Sequence, residues 1–253
     1  NKNIYTNIED LYSEVWVYGE KDIYDPVTEY DMPEVISDKL YFTGYIPRKI
    51  PSPKKPEDLR LQHNIMTNEY LVTVTTGGGG DGFHVLDAYL KMLETMKNNS
   101  VLPPFKTVMV TGPFLSRKEK KSVMARAADL EIPCFEFYSD METLISATDL
   151  VVCMGGYNTL CEVLSTGTMS LVIPRETPRK EQHIRATAFN REGLLDYIPW
   201  NQLSPACLED KIIEMLDKKD TFIKSIDCFE MKGISNICER ISKFWDSKKN
   251  GTN

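Results

Sequence analysis

The sequence predicts an α/β protein: a doubly wound parallel sheet with a small N-terminal remnant of a preceding domain. Three observations predict it. Short, continuous apolar runs recur along the chain, as in strands buried on both faces. Stretches of helical periodicity fill the gaps, and such alternation implies parallel pairing with right-handed crossovers. Glycines cluster after two of the runs, Gly77 to Gly80 with Gly82 and Gly155 with Gly156, which together hold seven of the fourteen glycines.

From the start of the chain, "LYSEVWVYG" predicts a helix end running into a strand, and "KLYFTGYI" a second short strand. Two strands with little helix cannot form a core of their own. Residues 1–45 are therefore expected to be the last piece of a domain that is largely absent. "PRKIPSPKKP" carries four prolines and four basic residues, and makes 46–57 an extended linker.

Residues 58–253 carry the sheet. "YLVTVT" (70–75), "TVMVT" (107–111), "CFEF" (134–137), "LVVCM" (150–154) and "SLVI" (170–173) read as strands, with "LLDYI" (194–198) a weaker sixth. Val85, Tyr89, Leu93 and Met96 repeat at helical spacing, and Ser116 with Glu119 forms a capping box. Thr177-Pro178 reads as a helix cap followed by a first-turn proline. Gly167 and Gly193 read as helix stops, and further helices are expected near 205–218 and 234–246.

Length, charge and cysteines bound the function. A chain of 253 residues buries a sizeable core. A net charge of −7 argues against general affinity for nucleic acid. No apolar run reaches the length of a membrane span. The six cysteines are scattered and form no C-x-x-C pair, which predicts reduced, mostly buried thiols and a cytoplasmic protein. The three histidines lie far apart, so no metal site is expected.

In the common doubly wound order the first and fourth of these strands are neighbours, and a crevice opens at their carboxyl ends. Those are the two strands followed by glycine loops. A glycine turn lets backbone N–H groups approach a ligand, and the next helix aims its positive end at the same point. Phosphate is the natural guest. Gly77, Gly79 and Gly82 match G-x-G-x-x-G, but the acid expected about 20 residues on for a nicotinamide ribose is missing. On a helix starting near Asn158, Thr159 can offer a hydroxyl to phosphate, and Glu162, one turn on, can accept from a ribose diol. Glu181 and Gln182 offer acceptors and an amide that suit sugar hydroxyls. Arg175, Arg179 and Arg185 read as surface charges that could steer a diphosphate. His183 reads as structural or solvent-facing, and His84 as pocket rim or helix surface. Asp140 reads as a helix cap rather than a metal ligand, with Phe137 and Tyr138 at the pocket's edge.

Taken in order and spacing, "GGGGDG", "FYSDM", "GGYNTLCE" and "PRKEQHIRA" resemble the donor-binding domain of GT-B glycosyltransferases, and within them family 28. The resemblance covers roughly residues 40–245. It implies a Rossmann-like GT-B C-terminal domain and a hexosyltransferase that uses a nucleotide-diphosphate sugar, UDP-linked, with inversion and without a metal or other cofactor. By position, Gly78, Gly79, Gly80 and Gly82 would line the diphosphate, and Arg48 would reach a phosphate. Phe137 and Tyr138 would flank the base; Tyr157, Asn158 and Thr159 would meet the phosphates. Glu162 would hold the ribose, and Glu181 and Gln182 the sugar. Gly80 stands where the family often has serine, and Glu181-Gln182 where it often has Gln-Gln. The resemblance places the acceptor site and catalytic base in the other domain and suggests a lipid-linked acceptor, with membrane contact only through that domain. Two alternatives stay open: a donor-binding subunit inactive without a separate acceptor subunit, and a sugar-nucleotide epimerase of the same fold.

Overall fold

The structure, a computed structural model, describes residues 4–48, 55–78 and 80–250. The chain forms two compact units, the smaller made of residues up to 48 together with those from 230 onward, the larger of residues 49–229.

In the smaller unit, strands β1 (Val15–Val17) and β2 (Leu40–Phe42) pair in parallel, with Trp16 opposite Tyr41. Helix Ile4–Leu11 precedes them, and Pro26–Tyr30 and Glu34–Ser37 connect them. Asp25 caps the first connecting helix by accepting from the Val27 amide at 2.9 Å. Helix Gly233–Asn250 belongs to this unit. Its Gly233 amide donates to the Tyr45 carbonyl at 2.9 Å, its Asn236 Nδ2 donates to the Thr43 carbonyl at 2.8 Å, and Arg240 pairs with Glu14. Glycine is needed at 233 because a Cβ would lie 2.6 Å from the Tyr45 oxygen.

The larger unit holds β3 (Tyr70–Thr75), β4 (Phe105–Val110), β5 (Cys134–Phe135), β6 (Leu150–Cys153), β7 (Met169–Val172) and β8 (Asp196–Tyr197). All pair in parallel in the order β5-β4-β3-β6-β7-β8. This is the expected doubly wound order, and the sixth strand is real. β6 and β7 are wholly buried, as their apolar runs require. Alternate residues face opposite layers. Val72 and Val74 join the core under helices Phe83–Asn98, Arg117–Asp129 and Pro205–Asp217. Leu71 and Val108 face Leu59 and Leu144, from helices Pro56–Gln62 and Met141–Ser146.

An ion cluster ties the start of β6 to its neighbours. Asp149, whose side chain is 12% exposed, accepts from the Leu71 amide at 2.8 Å, Arg60 Nη1 at 3.1 Å and Lys219 Nζ at 2.5 Å. Burial pushes its carboxyl up, but the Lys219, Leu71 and Arg60 contacts outweigh it and hold the group below its ordinary value.

Several local expectations change. The third strand stops at Phe135, because Tyr138 turns in to pack edge-on against Phe135. Thr177-Pro178 starts no helix: its peptide bond is cis, and the helix begins at Glu181 with Lys180 at the N-cap. Helices Pro56–Gln62 and Lys219–Asp227 appear where the sequence pattern gives none. The Ser116–Glu119 capping box forms, and Gly167 and Gly193 stop their helices at φ +70°. The cysteines are less uniformly buried than expected: Cys228 and Cys238 are exposed, while Cys153 and Cys161 are buried.

Candidate functional site

β3, β6 and β7 stand side by side in the sheet, and each feeds a helix through a short loop. Those helices, Phe83–Asn98, Tyr157–Ser165 and Glu181–Arg191, have no side-chain cap; Gly82, Gly156 and Lys180 stand at the N-cap. The helices that follow β4, β5 and β8 are capped by Ser116, Asp140 and Ser204. Capping by side chains therefore stops at three consecutive strands. Helix N-termini attract anions through their first-turn N–H groups and their dipole.

The two glycine turns meet. A Cβ on Gly77, at φ +62°, would lie 3.6 Å from Thr159 Oγ1. Behind them, Gly112 at φ +75° leaves room for the Gly77 carbonyl, whose oxygen would lie 1.9 Å from a Cβ there. Gly82 faces Thr76 and Gly155 faces Val172, with Cβ clearances of 2.4 and 2.6 Å. These glycines are demanded by the fold itself. Gly156 is different. Its φ of −60° and ψ of 146° suit any residue, and nothing lies within 4 Å of its Cβ position. Packing does not call for glycine there.

Around this cradle the named side chains fall as follows. Thr159 is half-buried beside Gly77, Tyr157 is half-buried, and Asn158 is exposed. Glu162, half-buried one turn on, is close enough to raise the pKa of Cys153, although burial is the main force pushing that thiol up to about 12. Gly78 and Gly80 lie under Phe114, whose ring and carbonyl would be 3.1 and 3.4 Å from their Cβ positions. Gly79 lies outside the described residues. Glu181 and Gln182 open their helix, both half-buried. The Gln182 Oε1 accepts from the Arg175 amide at 3.1 Å, which leaves its NH2 as the group that can donate elsewhere.

Other residues sit differently from one another. Phe137 is 74% exposed. Tyr138 is half-buried against Phe135, with its hydroxyl 3.3 Å from His63 Nε2, and burial raises its pKa. Arg48 is exposed and belongs to the smaller unit. Arg185 is not a surface charge: it is 8% exposed and donates to the Gly155 carbonyl at 3.3 Å, with Tyr157 beneath it. Arg175 Nη1 donates to Asp81 at 2.8 Å, so its charge is already engaged, whereas Arg179 is exposed. His183 packs edge-on against Tyr197, and the exposed His84 lies against Trp200.

The model of the glycosyltransferase family 28 C-terminal domain matches residues 71–241. The chain belongs to this family. A curated relative from Alkaliphilus oremlandii, a UDP-N-acetylglucosamine–N-acetylmuramyl-(pentapeptide) pyrophosphoryl-undecaprenol N-acetylglucosamine transferase, is 26% identical over 171 residues, 67% of this chain and 46% of the relative. The chain thus spans about half the length of the curated relatives it matches. Among solved structures, a glycosyltransferase from Rickettsia africae aligns with a TM-score of 0.65 at 14% identity, covering 99% of this chain and 68% of that one. Anabaena HepE aligns with a TM-score of 0.62 at 15% identity, covering 96% and 65%. These likenesses place the fold among the GT-B glycosyltransferases.

Two residues packed against the glycine loop are not singled out in the sequence. Phe114 left no periodic signal, since an exposed aromatic in a loop resembles any surface residue. Gly112 carried one: a glycine directly after a buried strand, at the same sheet edge as the two glycine clusters.

Proposed function

We propose that the chain is the donor-binding half of an inverting, metal-independent hexosyltransferase that takes a nucleotide-diphosphate sugar. Gly156 carries this reading: an unforced glycine at the N-cap of an uncapped helix, beside the turn that brings Gly77 to Thr159. Family membership supplies the chemistry, and the relatives' name supports UDP as the carrier nucleotide and a lipid-linked acceptor; a cytoplasmic setting at a membrane surface is part of the same proposal. The solved HepE complex with UDP and glucose supports the same donor class.

In this reading the turns at Gly78–Gly82 and Gly155–Gly156 hold the diphosphate, with the Thr159 hydroxyl beside it. Glu162 accepts from the ribose diol, Phe137 covers the base, and Glu181 with Gln182 holds the sugar. As the bond at the anomeric carbon breaks, negative charge grows on the departing diphosphate. Fixed N–H groups and helix dipoles stabilise that charge without having to reorganise. The acceptor site and the base belong to the length that the relatives have beyond this match. No helix among the described residues is long and apolar enough to cross a membrane.

The test is calorimetric titration of the chain with UDP, GDP, dTDP, UDP-N-acetylglucosamine and NAD. Binding of a nucleoside diphosphate and its sugar conjugate is expected. Tight NAD binding with no diphosphate binding overturns the reading.

A further inference from the structure

Arg175 stands at the meeting point of three separate segments. It follows β7 in the loop to helix Glu181–Arg191. Its Nη1 donates to Asp81 Oδ2 at 2.8 Å, in the glycine loop after β3 and 94 residues away in sequence. Its Nη2 lies 3.8 Å from Glu181 Oε1. Its backbone N–H fixes the Gln182 side chain through Oε1 at 3.1 Å. The side chain therefore stands between Glu181 and the glycine loop, and the backbone of the same residue holds Gln182.

Charge decides what such a residue can do. A guanidinium between two carboxylates is more than neutralised, so Arg175 is a poor counter-charge for a diphosphate. Its planar fork suits two acceptors at fixed angles, which a lysine ammonium does not reproduce. The Asp81 carboxylate is 45% exposed and the Arg175 side chain 27%. An ion pair that exposed adds little to global stability, so its use lies in geometry.

We propose that Arg175 is a positioning residue whose side chain couples Glu181 to the glycine loop through Asp81 while its backbone amide holds Gln182, so that sugar and diphosphate are read in one register. The proposal rests on the donor-site reading above and goes further: it assigns to a side chain that touches neither phosphate nor sugar the discrimination between a nucleotide and its sugar conjugate. Asp81 is its partner in that role.

The experiment compares UDP with UDP-N-acetylglucosamine on the whole chain, for wild type, Arg175→Ala, Arg175→Lys, Asp81→Asn and the Ala/Asn double variant. For Arg175→Ala, the ratio of the sugar-nucleotide Kd to the UDP Kd is expected to rise by about tenfold, the scale of one lost charged hydrogen bond. Asp81→Asn moves the ratio the same way by less, and the double variant adds little to Arg175→Ala. Lysine restores the ratio only in part. Hydrogen exchange on the ligand-free chain gives a second reading: Arg175→Ala speeds exchange both at residues 80–82 and at 181–184. Equal loss for UDP and the sugar conjugate, or additive effects of the two substitutions, overturns the coupling. Faster exchange in only one segment does the same. If wild type binds neither probe, the donor-site reading falls and this role falls with it, whereas the exchange result still shows whether the two segments are tied.

Discussion

Gly156→Ala separates a glycine kept for a ligand from one kept for the fold. The backbone at 156 has φ −60° and ψ 146°, open to alanine, and the space around its Cβ position is empty to 4 Å. The methyl group therefore meets nothing in the folded state and removes freedom from the unfolded chain, worth about 0.4–1 kcal/mol. A helix N-cap prefers glycine to alanine by a similar amount, which offsets that gain. The melting temperature is therefore expected to stay within about 4 °C of wild type. The same methyl group occupies the space through which a phosphate would reach the amides of helix Tyr157–Ser165. Losing one charge-assisted hydrogen bond costs about 1.5–3 kcal/mol, or about a ten- to hundredfold rise in the Kd for UDP. Differential scanning calorimetry and titration calorimetry on one preparation measure both. A variant that melts close to wild type and binds worse is the expected pair. A variant that melts well below wild type shows that the fold needed glycine there, and an unchanged Kd shows that nothing approaches that backbone. Either result refutes the reasoning.

Other outcomes follow from the same geometry. Gly112→Ala, whose methyl carbon would sit 1.9 Å from the Gly77 oxygen, is expected to displace the glycine loop and to lower both melting temperature and UDP affinity; normal values for both would show that the turn has room. Glu162→Gln is expected to weaken UDP binding by about 1–3 kcal/mol and to abolish the preference for UDP over 2′-deoxy-UDP; a retained preference would move the ribose elsewhere. Asp149→Asn leaves Arg60 and Lys219 facing a neutral group and is expected to cost about 2–4 kcal/mol in urea unfolding at pH 7, near the lower range for a broken buried pair because Lys219 is partly exposed. The Asp149 carboxyl is depressed in the folded chain, so its contribution is complete above its unfolded pKa of about 3.9. That contribution is lost as pH falls through the lower folded value. The gap between wild type and variant should therefore close in acid; a gap that persists unchanged at the lowest pH would assign the loss to packing instead.

The sheet was legible because buried parallel strands leave continuous apolar runs, and β3, β6 and β7 are of that kind. Their order followed from topology rules, not from any single residue. β5 was overextended because "CFEF" has strand chemistry throughout, while its end is set by Tyr138 packing on Phe135, a contact with no sequence signature. The start of helix Glu181–Arg191 was misplaced because proline at a cap and proline in a cis turn look alike in one sequence. At the candidate site, the glycine clusters are plain in the sequence but their division of labour is not. Only the packing distinguishes Gly155, pressed against Val172, from Gly156, which meets nothing. Arg175 and Arg185 were undervalued for a similar reason, since their partners lie 94 and 30 residues away.

The two exposed thiols have a practical consequence. Cys228 belongs to the larger unit and Cys238 to the smaller, while burial raises the pKa of Cys134 to about 11 and of Cys153 to about 12. With the half-buried Cys207 replaced by serine, a thiol-directed dye or spin label at neutral pH should therefore mark one point on each body without any added cysteine. A distance measured between those two labels, with and without UDP, would report whether nucleotide moves one body against the other.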